Sequence, residues 1–446
     1  MNPIIDEISE TDGALTFRMS GVNVSIVNGL RRIVYELPTV VLKSTPQDSQ
    51  KIVFSINTSR FNNEIIKQRL GCIPVYADTD FPFSQYEIIV DKQNTFEDII
   101  YITTEDFKVV DINTQLVDDK LTKKLFPINQ VSGYYPELVR LLPNLINKGK
   151  GEHLKFKCKF SISSSMEDGM FNITSTCTYS NTIDVAKQDV VWKELQALES
   201  NNTKDEFLHT DWLLLDGKRI VKPNSFEFKI ETVGPVPNIT IIHKACKLFI
   251  DKLSTFKNSI TDDIVTITEA KINIPNSYDF TLVDEDFTLG KVIEFILYTK
   301  FYETKKIIFC GFRKPHPHIN ESIIRIAFLH KPDITRLKEI MVKCADDAIE
   351  IYRKIGESFT SDVMINSNKV TTKPLENEVQ LNIGEEGLTV ATVVPSKQDL
   401  PISNASKLDT PRVSQSIQDK AETSEIPQIK VIKRQTGKSR PTTVKL

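Results

Sequence analysis

The spacing of hydrophobic positions switches repeatedly between helical and strand-like over the first 360 residues, so the chain predicts a mixture of both elements. Met1 to Met19 reads as two short strands around a turn at Thr11-Asp12-Gly13. From Asn23 the period lengthens. Ile26, Leu30, Ile33, Val34 and Leu37 fall on one face of a helix, which Pro38 ends. Between Val40 and about Thr232 most segments read as strands and loops, Lys155 to Ile162 and Phe226 to Thr232 among them, with a helix near Asn63 to Leu70. Gly234-Pro235 reads as a turn, and Asn238 to Leu253 as a second long helix. After Asp262 a strand-rich stretch leads to Asp284-Glu285-Asp286, where Asp286 or Thr288 can cap a third helix along Leu289, Val292, Ile293, Ile296 and Leu297. A strand from Ile307 to Cys310, a loop from Gly311 to Asn320 and a strand from Ser322 to Leu329 follow. A fourth helix opens at Pro332-Asp333 and carries Leu337, Ile340, Met341, Cys344, Ala348, Tyr352 and Ile355 on one stripe.

One order of elements therefore occurs twice: a short helix with a sharp stop, then strands, then a long amphipathic helix. The first copy brackets about 180 residues between Pro38 and Asn238, and the second only about 30 between Phe301 and Asp333. This pattern predicts one compact module duplicated, with a domain inserted into the first copy.

Composition narrows the function classes. Net charge is −3, which gives no general attraction to nucleic acid or anionic membrane. No apolar run approaches the roughly 18 to 20 residues of a membrane span, and Met1 to Glu10 has three acids and no base, unlike a signal peptide. The six cysteines, Cys72, Cys158, Cys177, Cys246, Cys310 and Cys344, stand singly with no zinc-ligand spacing and read as buried reduced thiols of an intracellular protein. After Phe359 there is no aromatic residue, and polar residues dominate, so residues 361–446 are expected to be disordered. The end of that tail, Pro427 to Leu446, holds Lys430, Lys433, Arg434, Lys438, Arg440 and Lys445 without an acid, and is expected to be a solvated tail.

Beyond periodicity, the chain carries motifs. Asn28-Gly29-Leu30-Arg31-Arg32-Ile33 followed by Glu36-Leu37-Pro38-Thr39, then Asn57-Thr58-Ser59 with Glu64 and Arg69-Leu70-Gly71-Cys72-Ile73-Pro74, stand in order near the start. Phe226 to Gly234 with Pro237 comes later. Asp286-Phe287-Thr288-Leu289-Gly290 and Phe309-Cys310-Gly311-Phe312-Arg313-Lys314-Pro315-His316-Pro317 close the series. In this order they resemble the RNA polymerase alpha family. The first three are similar to the larger partner of that family, the archaeal D-type and eukaryotic third subunits. The last two are similar to the smaller partner, the archaeal L-type and eukaryotic eleventh subunits. The resemblance covers about residues 1–360.

The resemblance implies an α+β chain in which two alpha-like dimerisation modules pack as an intrachain pseudo-dimer, with an inserted mainly β domain and a disordered C-terminal tail. The larger module is expected at 1–46 and 168–258, the insert at 47–167, the smaller module at 259–360 and the tail at 361–446. It further implies subunit-interface positions at Asn28, Leu30, Arg31, Arg32, Ile33, Glu64, Arg69, Gly71, Leu289, Gly290, Val292, Ile293, Gly311 and His316. Within these, the stripe from Asn28 to Leu37 should face that from Leu289 to Leu297, glycines should mark tight passages, and Arg31, Arg32 and Arg69 should offer cationic forks to a large partner subunit. Gly29 departs from the small side chain usual there and costs its helix about 1 kcal/mol. Lys291 replaces a usual Asn, the cysteines of the family's metal clusters are missing from the insert, and the basic-aromatic motif is poorly matched around Asn172 to Tyr179.

The implied function is a non-catalytic platform for the two largest subunits of a DNA-dependent RNA polymerase. It would have no catalytic residue, cofactor or metal. A small tenth-type or twelfth-type subunit would be a further partner, and DNA would be met only through the complex. Fusion of the two halves resembles members from large DNA viruses, with cytoplasmic replication and virion packaging; a cellular member would be nuclear. Two other readings exist. One is an adaptor that mimics polymerase modules and binds host subunits. The other is a metal-dependent nucleotidyl-transfer enzyme built on Asp284, Glu285 and Asp286. Those acids also suit a helix start. His316 and His318 with Glu321 lack further ligands and read as a structural loop.

Overall fold

The computed structural model describes residues 1–44, 49–130, 132–144, 150–198, 206–270 and 274–366. The expected tail lies outside them except for its first residues, which continue the last helix to Asn366. Strands β1 (Ile4–Thr11) and β2 (Ala14–Ser20) form a hairpin whose central residues, Asp12 and Gly13, both take positive φ, 52° and 78°. That is the turn whose twist suits an antiparallel pair, and Asp-Gly supplies it with little strain. Asn23 caps α1 (Val24–Ile33) by accepting from the Ser25 amide at 2.9 Å.

The chain then leaves the module. A two-strand ribbon, β3 (Thr39–Val41) with β10 (Ser161–Ser163), marks the exit and return. Between them lie β4 (Ile52–Asn57), α2 (Asn63–Gly71), β5 (Tyr86–Gln93), β6 (Ile100–Thr103), β7 (Lys108–Asp111), α3 (Asp119–Leu125), β8 (Glu137–Leu141) and β9 (His153–Cys158). The insert's main sheet runs β4-β9-β5-β7, with β6-β8 as a second pair. Ile88, Val90, Leu154 and Phe156 are completely buried there, in a core separate from that of the modules. The strand expected over Lys155 to Ile162 is thus two strands, broken at Lys159-Phe160. Neither α3 nor the next two helices, between Val185 and Leu214, were visible in the hydrophobic spacing.

The first module resumes with β11 (Thr174–Ile183), α4 (Val185–Leu198), α5 (Glu206–Leu214), β12 (Val221–Thr232) and α6 (Asn238–Thr261). Since α6 runs to Thr261, the expected module boundary at residue 258 falls inside it. The second module is β13 (Thr266–Glu269), β14 (Ser277–Val283), α7 (Phe287–Leu297), β15 (Phe309–Arg313), β16 (Glu321–Ala327) and α8 (Ile334–Asn366). Gly311, expected to open a loop, is inside β15.

The two modules share one topology. The sheets run β1-β2-β12-β11 and β13-β14-β16-β15, all antiparallel. Adding 263 to the numbers of β2 gives the bounds of β14, and the same shift carries Val24 onto Phe287 at the start of α7. The buried residues of α1, Ile26, Val27, Gly29, Leu30 and Ile33, land on Leu289, Gly290, Val292, Ile293 and Ile296, which are all buried. A shift of 99 carries each buried residue of α6 onto a buried residue of α8, from Asn238 on Leu337 to Ile260 on Phe359. Different side chains thus fill the same positions, as binary patterning requires for one fold encoded twice.

Candidate assembly interface

The faces that the two modules turn to each other are built from four helices. Helix α1 lies against α7 and α6 lies along α8, and one continuous core runs through both modules. Leu30, Ile33, Leu289, Val292 and Ile293 are completely buried in it. Phe359 near the end of the described α8 side chains sets its ring edge-on to Phe17 of the first module's sheet, at 4.8 Å between centroids.

At the centre stands a contact that neither stripe revealed. Tyr352 of α8 is fully buried and its hydroxyl donates to the Ile26 carbonyl of α1 at 2.9 Å. Its ring lies 4.4 Å from that of Phe249 on α6. A Cβ on Gly29 would stand 2.5 Å from the Tyr352 oxygen and 3.1 Å from both Phe249 and Val292. The glycine that weakens α1 therefore opens the space through which three other helices meet it.

Charges close one side of this interface. Arg32 pairs with Asp286 at 2.5 Å and donates from Nε to the Thr288 hydroxyl at 2.9 Å, so α1 holds the N-terminus of α7. Asp286 also caps α7 through the Thr288 amide at 2.7 Å. Beside it, Lys252 of α6 contacts Glu36 at 2.7 Å and Glu285 at 3.2 Å. Partial burial alone would raise the Asp286 carboxyl, but the Thr288 hydrogen bonds and the Arg32 charge outweigh it and hold its pKa low. Glu285 moves the other way, pushed up by burial and by Glu36 and Asp286 against the pull of Lys252. The duplication offset places Phe295 where Arg32 stands and Asn23 where Asp286 stands. The clamp is therefore one-sided, and two copies of the first module would oppose Arg32 to a neutral residue, which disfavours that wrong pairing.

A pH response follows. Asp286 contributes its full stabilisation above its ordinary value of 3.8 and loses it as pH falls through the depressed folded value. Glu285 opposes folding when ionised, so stability gains as pH falls through its raised value towards 4.5. The melting midpoint should therefore hold or rise slightly from neutrality to about pH 4.5 and drop steeply below about 3.8. Asp286→Asn keeps the cap, should cost about 1 kcal/mol at neutral pH, and should flatten the acid drop. An unchanged acid profile in that variant would remove Asp286 from this role.

The other expected interface residues are placed differently. Arg69 donates to the backbone carbonyls of Leu138, at 2.5 Å, and Glu137, at 3.0 Å, and its guanidinium lies 5.6 Å from the Phe61 ring centroid. It thus ties α2 to β8 inside the insert. Arg32 is likewise engaged within the chain, so neither is the open fork expected from the motifs. Arg31 is half-buried, with Nε on the Asn28 side chain at 3.0 Å and no carboxylate partner among the described residues. Glu64 is exposed beside Lys67 at 3.0 Å, Gly71 lies against the Met170 sulfur, and Gly290 lies under the Phe312 ring. A Cβ on Gly311 would stand 3.1 Å from the Phe309 ring, and His316 is on an exposed loop where its Nδ1 accepts from the His318 amide at 3.1 Å. Among the described residues no group of three histidine, cysteine or acidic side chains is placed to hold a metal ion. Burial pushes the Cys177 and Cys246 thiols up to about 12, while Cys72, contrary to expectation, is exposed. Trp192 and Trp212, unassigned by the sequence, meet at 5.2 Å in the α4–α5 excursion from the β11–β12 hairpin.

Two copies of one sheet-and-helix module, sealed against each other through their helices, define a fused dimerisation unit. The RNA polymerase Rpb3/Rpb11 dimerisation domain matches the chain twice, over residues 16–253 and 277–358. The chain belongs to that family and is a fusion of alpha-like RNA polymerase subunits. It is 25% identical over 273 residues to the DNA-directed RNA polymerase subunit Rpo3 of Pyrococcus furiosus, covering 56% of this chain and 94% of that one. The Pyrococcus horikoshii Rpo3 is 22% identical over 273 residues, covering 57% and 96%. A subunit of RNA polymerases I and III from Dictyostelium discoideum is 34% identical over 98 residues, 22% of this chain and 25% of that protein.

Proposed function

We propose that this chain is the non-catalytic platform on which the two largest subunits of a DNA-dependent RNA polymerase assemble, with a small tenth-type or twelfth-type subunit beside them. The observation that carries the reading is the sealed interface. Both helix stripes, which in a single module would demand a partner, are satisfied within one chain by Tyr352, Gly29 and the Arg32–Asp286 pair. What remains for other subunits is the exterior, including Arg31. The Rpo3 relatives align over nearly their whole length within about half of this chain, which supports a second, fused partner. That fusion favours the cytoplasmic transcription apparatus of a large DNA virus, carried in its virion.

The test is recovery of the tagged full chain with the two largest subunits. Arg31→Ala should fold normally yet lower recovery in the polymerase at least tenfold, because a desolvated carboxylate left unmatched costs about 2–5 kcal/mol. Arg69→Ala should instead loosen the insert. If the intact chain purifies without large polymerase subunits, the platform reading fails. If Arg31→Ala assembles normally, only the docking role of Arg31 fails.

A further inference from the structure

The insert leaves the first module at Leu37-Pro38 and returns to it at Phe171-Asn172-Ile173. Among the described residues its core and that of the modules have no member in common. Between the two crossings the Thr39 hydroxyl donates to the Phe171 carbonyl at 2.6 Å, which ties exit to return. The segment Val34–Glu36, just before the first crossing, packs on α6. Two clefts that share no wall residue flank this joint. One, of about 300 Å³, is walled by β3, by Ile73 to Val75 after α2 and by Lys244 of α6. The other, of about 670 Å³, is walled by Glu36, by Ser164 and Met166 just past β10, by Asp284 to Phe287 and by Lys252 of α6. Lys244 and Lys252 are about 12 Å apart along the axis of α6, so the joint has open space on either side of it.

Different bonds span the two sides. Across the first cleft Asp78 of the insert pairs with Lys244 at 2.8 Å, and these side chains are 55% and 33% exposed. An exposed pair of this kind biases an equilibrium only about 1.4- to 5-fold, and salt weakens it further. On the side of the second cleft the Ser165 hydroxyl donates to the Tyr35 carbonyl at 2.6 Å. One neutral hydrogen bond of that kind is a similarly modest restraint. A close-packed joint would forbid any tilt of the insert. A joint with a cleft on each side and a weak bond across each does not.

We infer that the insert rocks as a rigid body about Pro38 and Asn172, between a tilt that closes the Asp78–Lys244 side and one that closes the Ser165 side. Each tilt narrows one cleft as it widens the other. A hinge of this kind needs only a few residues at the ends of elements to absorb the change. Leu37, at φ −62° and ψ 129°, and Asn172, at φ −67° and ψ 127°, are extended residues at such ends. The second cleft contains Glu36, Lys252 and Glu285, whose contacts tie the start of α7 to α6. The tilt of the insert is therefore felt where the two modules are clamped, and loosening of the clamp is passed back to the insert. None of this depends on the platform reading.

The far end of the insert amplifies such a motion, because β9 alone carries His153 about 17 Å from Cys158. p-Acetylphenylalanine at exposed Glu97, beside that far end, and at exposed Thr255 of α6 would take two dyes without use of the cysteines. Single-molecule energy transfer in the free full-length chain should then show two interconverting populations. Raising salt to about 1 M, where the screening length is about 3 Å, should shift their ratio by about 1.4- to 5-fold. Lys244→Gln should shift it in the same direction and abolish the salt response. Ser165→Ala should shift it the opposite way. One population, unmoved by salt and by either variant, overturns the inference. So does a salt response that Lys244→Gln leaves intact. A shift in the same direction by both variants overturns it too, since that is general loosening and not a tilt.

Discussion

Cut between Asp262 and Asp263 and expressed separately, residues 1–262 and 263–366 should each be insoluble or molten, and should recover a cooperative fold when produced together. The expectation comes from the undivided core. The α8 stripe alone presents Leu337, Ile340, Met341, Ile355 and Phe359, all buried, most of them against α6 and the first sheet. At about 1.5–3 kcal/mol for each large apolar side chain, exposing them forfeits as much as a typical domain's whole net stability of about 5–15 kcal/mol. Tryptophan and near-ultraviolet signals with a denaturant titration read the result. Two monomeric halves with sharp independent transitions would show that the modules do not depend on each other.

The second large effect is a coupling at the centre of the four helices. Gly29→Ala should destabilise the chain by about 1–3 kcal/mol through overpacking, although alanine favours the helix by about 1 kcal/mol. Tyr352→Phe removes a buried hydrogen bond worth about 1 kcal/mol, while the Ile26 carbonyl keeps its place in α1. Together the two changes should cost about 1–2 kcal/mol less than their sum, because the phenylalanine vacates the oxygen that the new methyl group strikes. Strict additivity in urea unfolding would mean that the clash is relieved elsewhere, at Phe249 or Val292.

This same contact shows where sequence reasoning reached its limit. The stripes of α1 and α7 were legible because one helix face must be apolar whatever it touches. The repeated order of elements was legible for the same reason, and the motifs of the alpha family placed both modules. Gly29, however, could be read only as a local weakness, since its reason is a tyrosine 323 positions away. Arg32 and Arg69 are chemically identical to open docking residues in the sequence; only their acceptors, Asp286 and the backbone of Glu137 and Leu138, reveal that the chain uses them itself. Helices α4 and α5 escaped notice because their apolar residues do not keep to one face. Instead Val185, Val190, Leu208 and Leu214 are exposed.

The insert also sets a timetable for synthesis. Helix α1 is complete by Ile33, but Tyr352 and Phe359, which cover it and its sheet, leave the ribosome roughly 320 residues later. At about 5–20 residues per second the apolar face of the first module waits about 16–65 s for its cover. The insert, with a core of its own, can finish folding in that interval, whereas the module that carries it cannot. A nascent chain stalled before α8 should therefore recruit chaperones through α1 and α6 and release them only when the last helix has emerged.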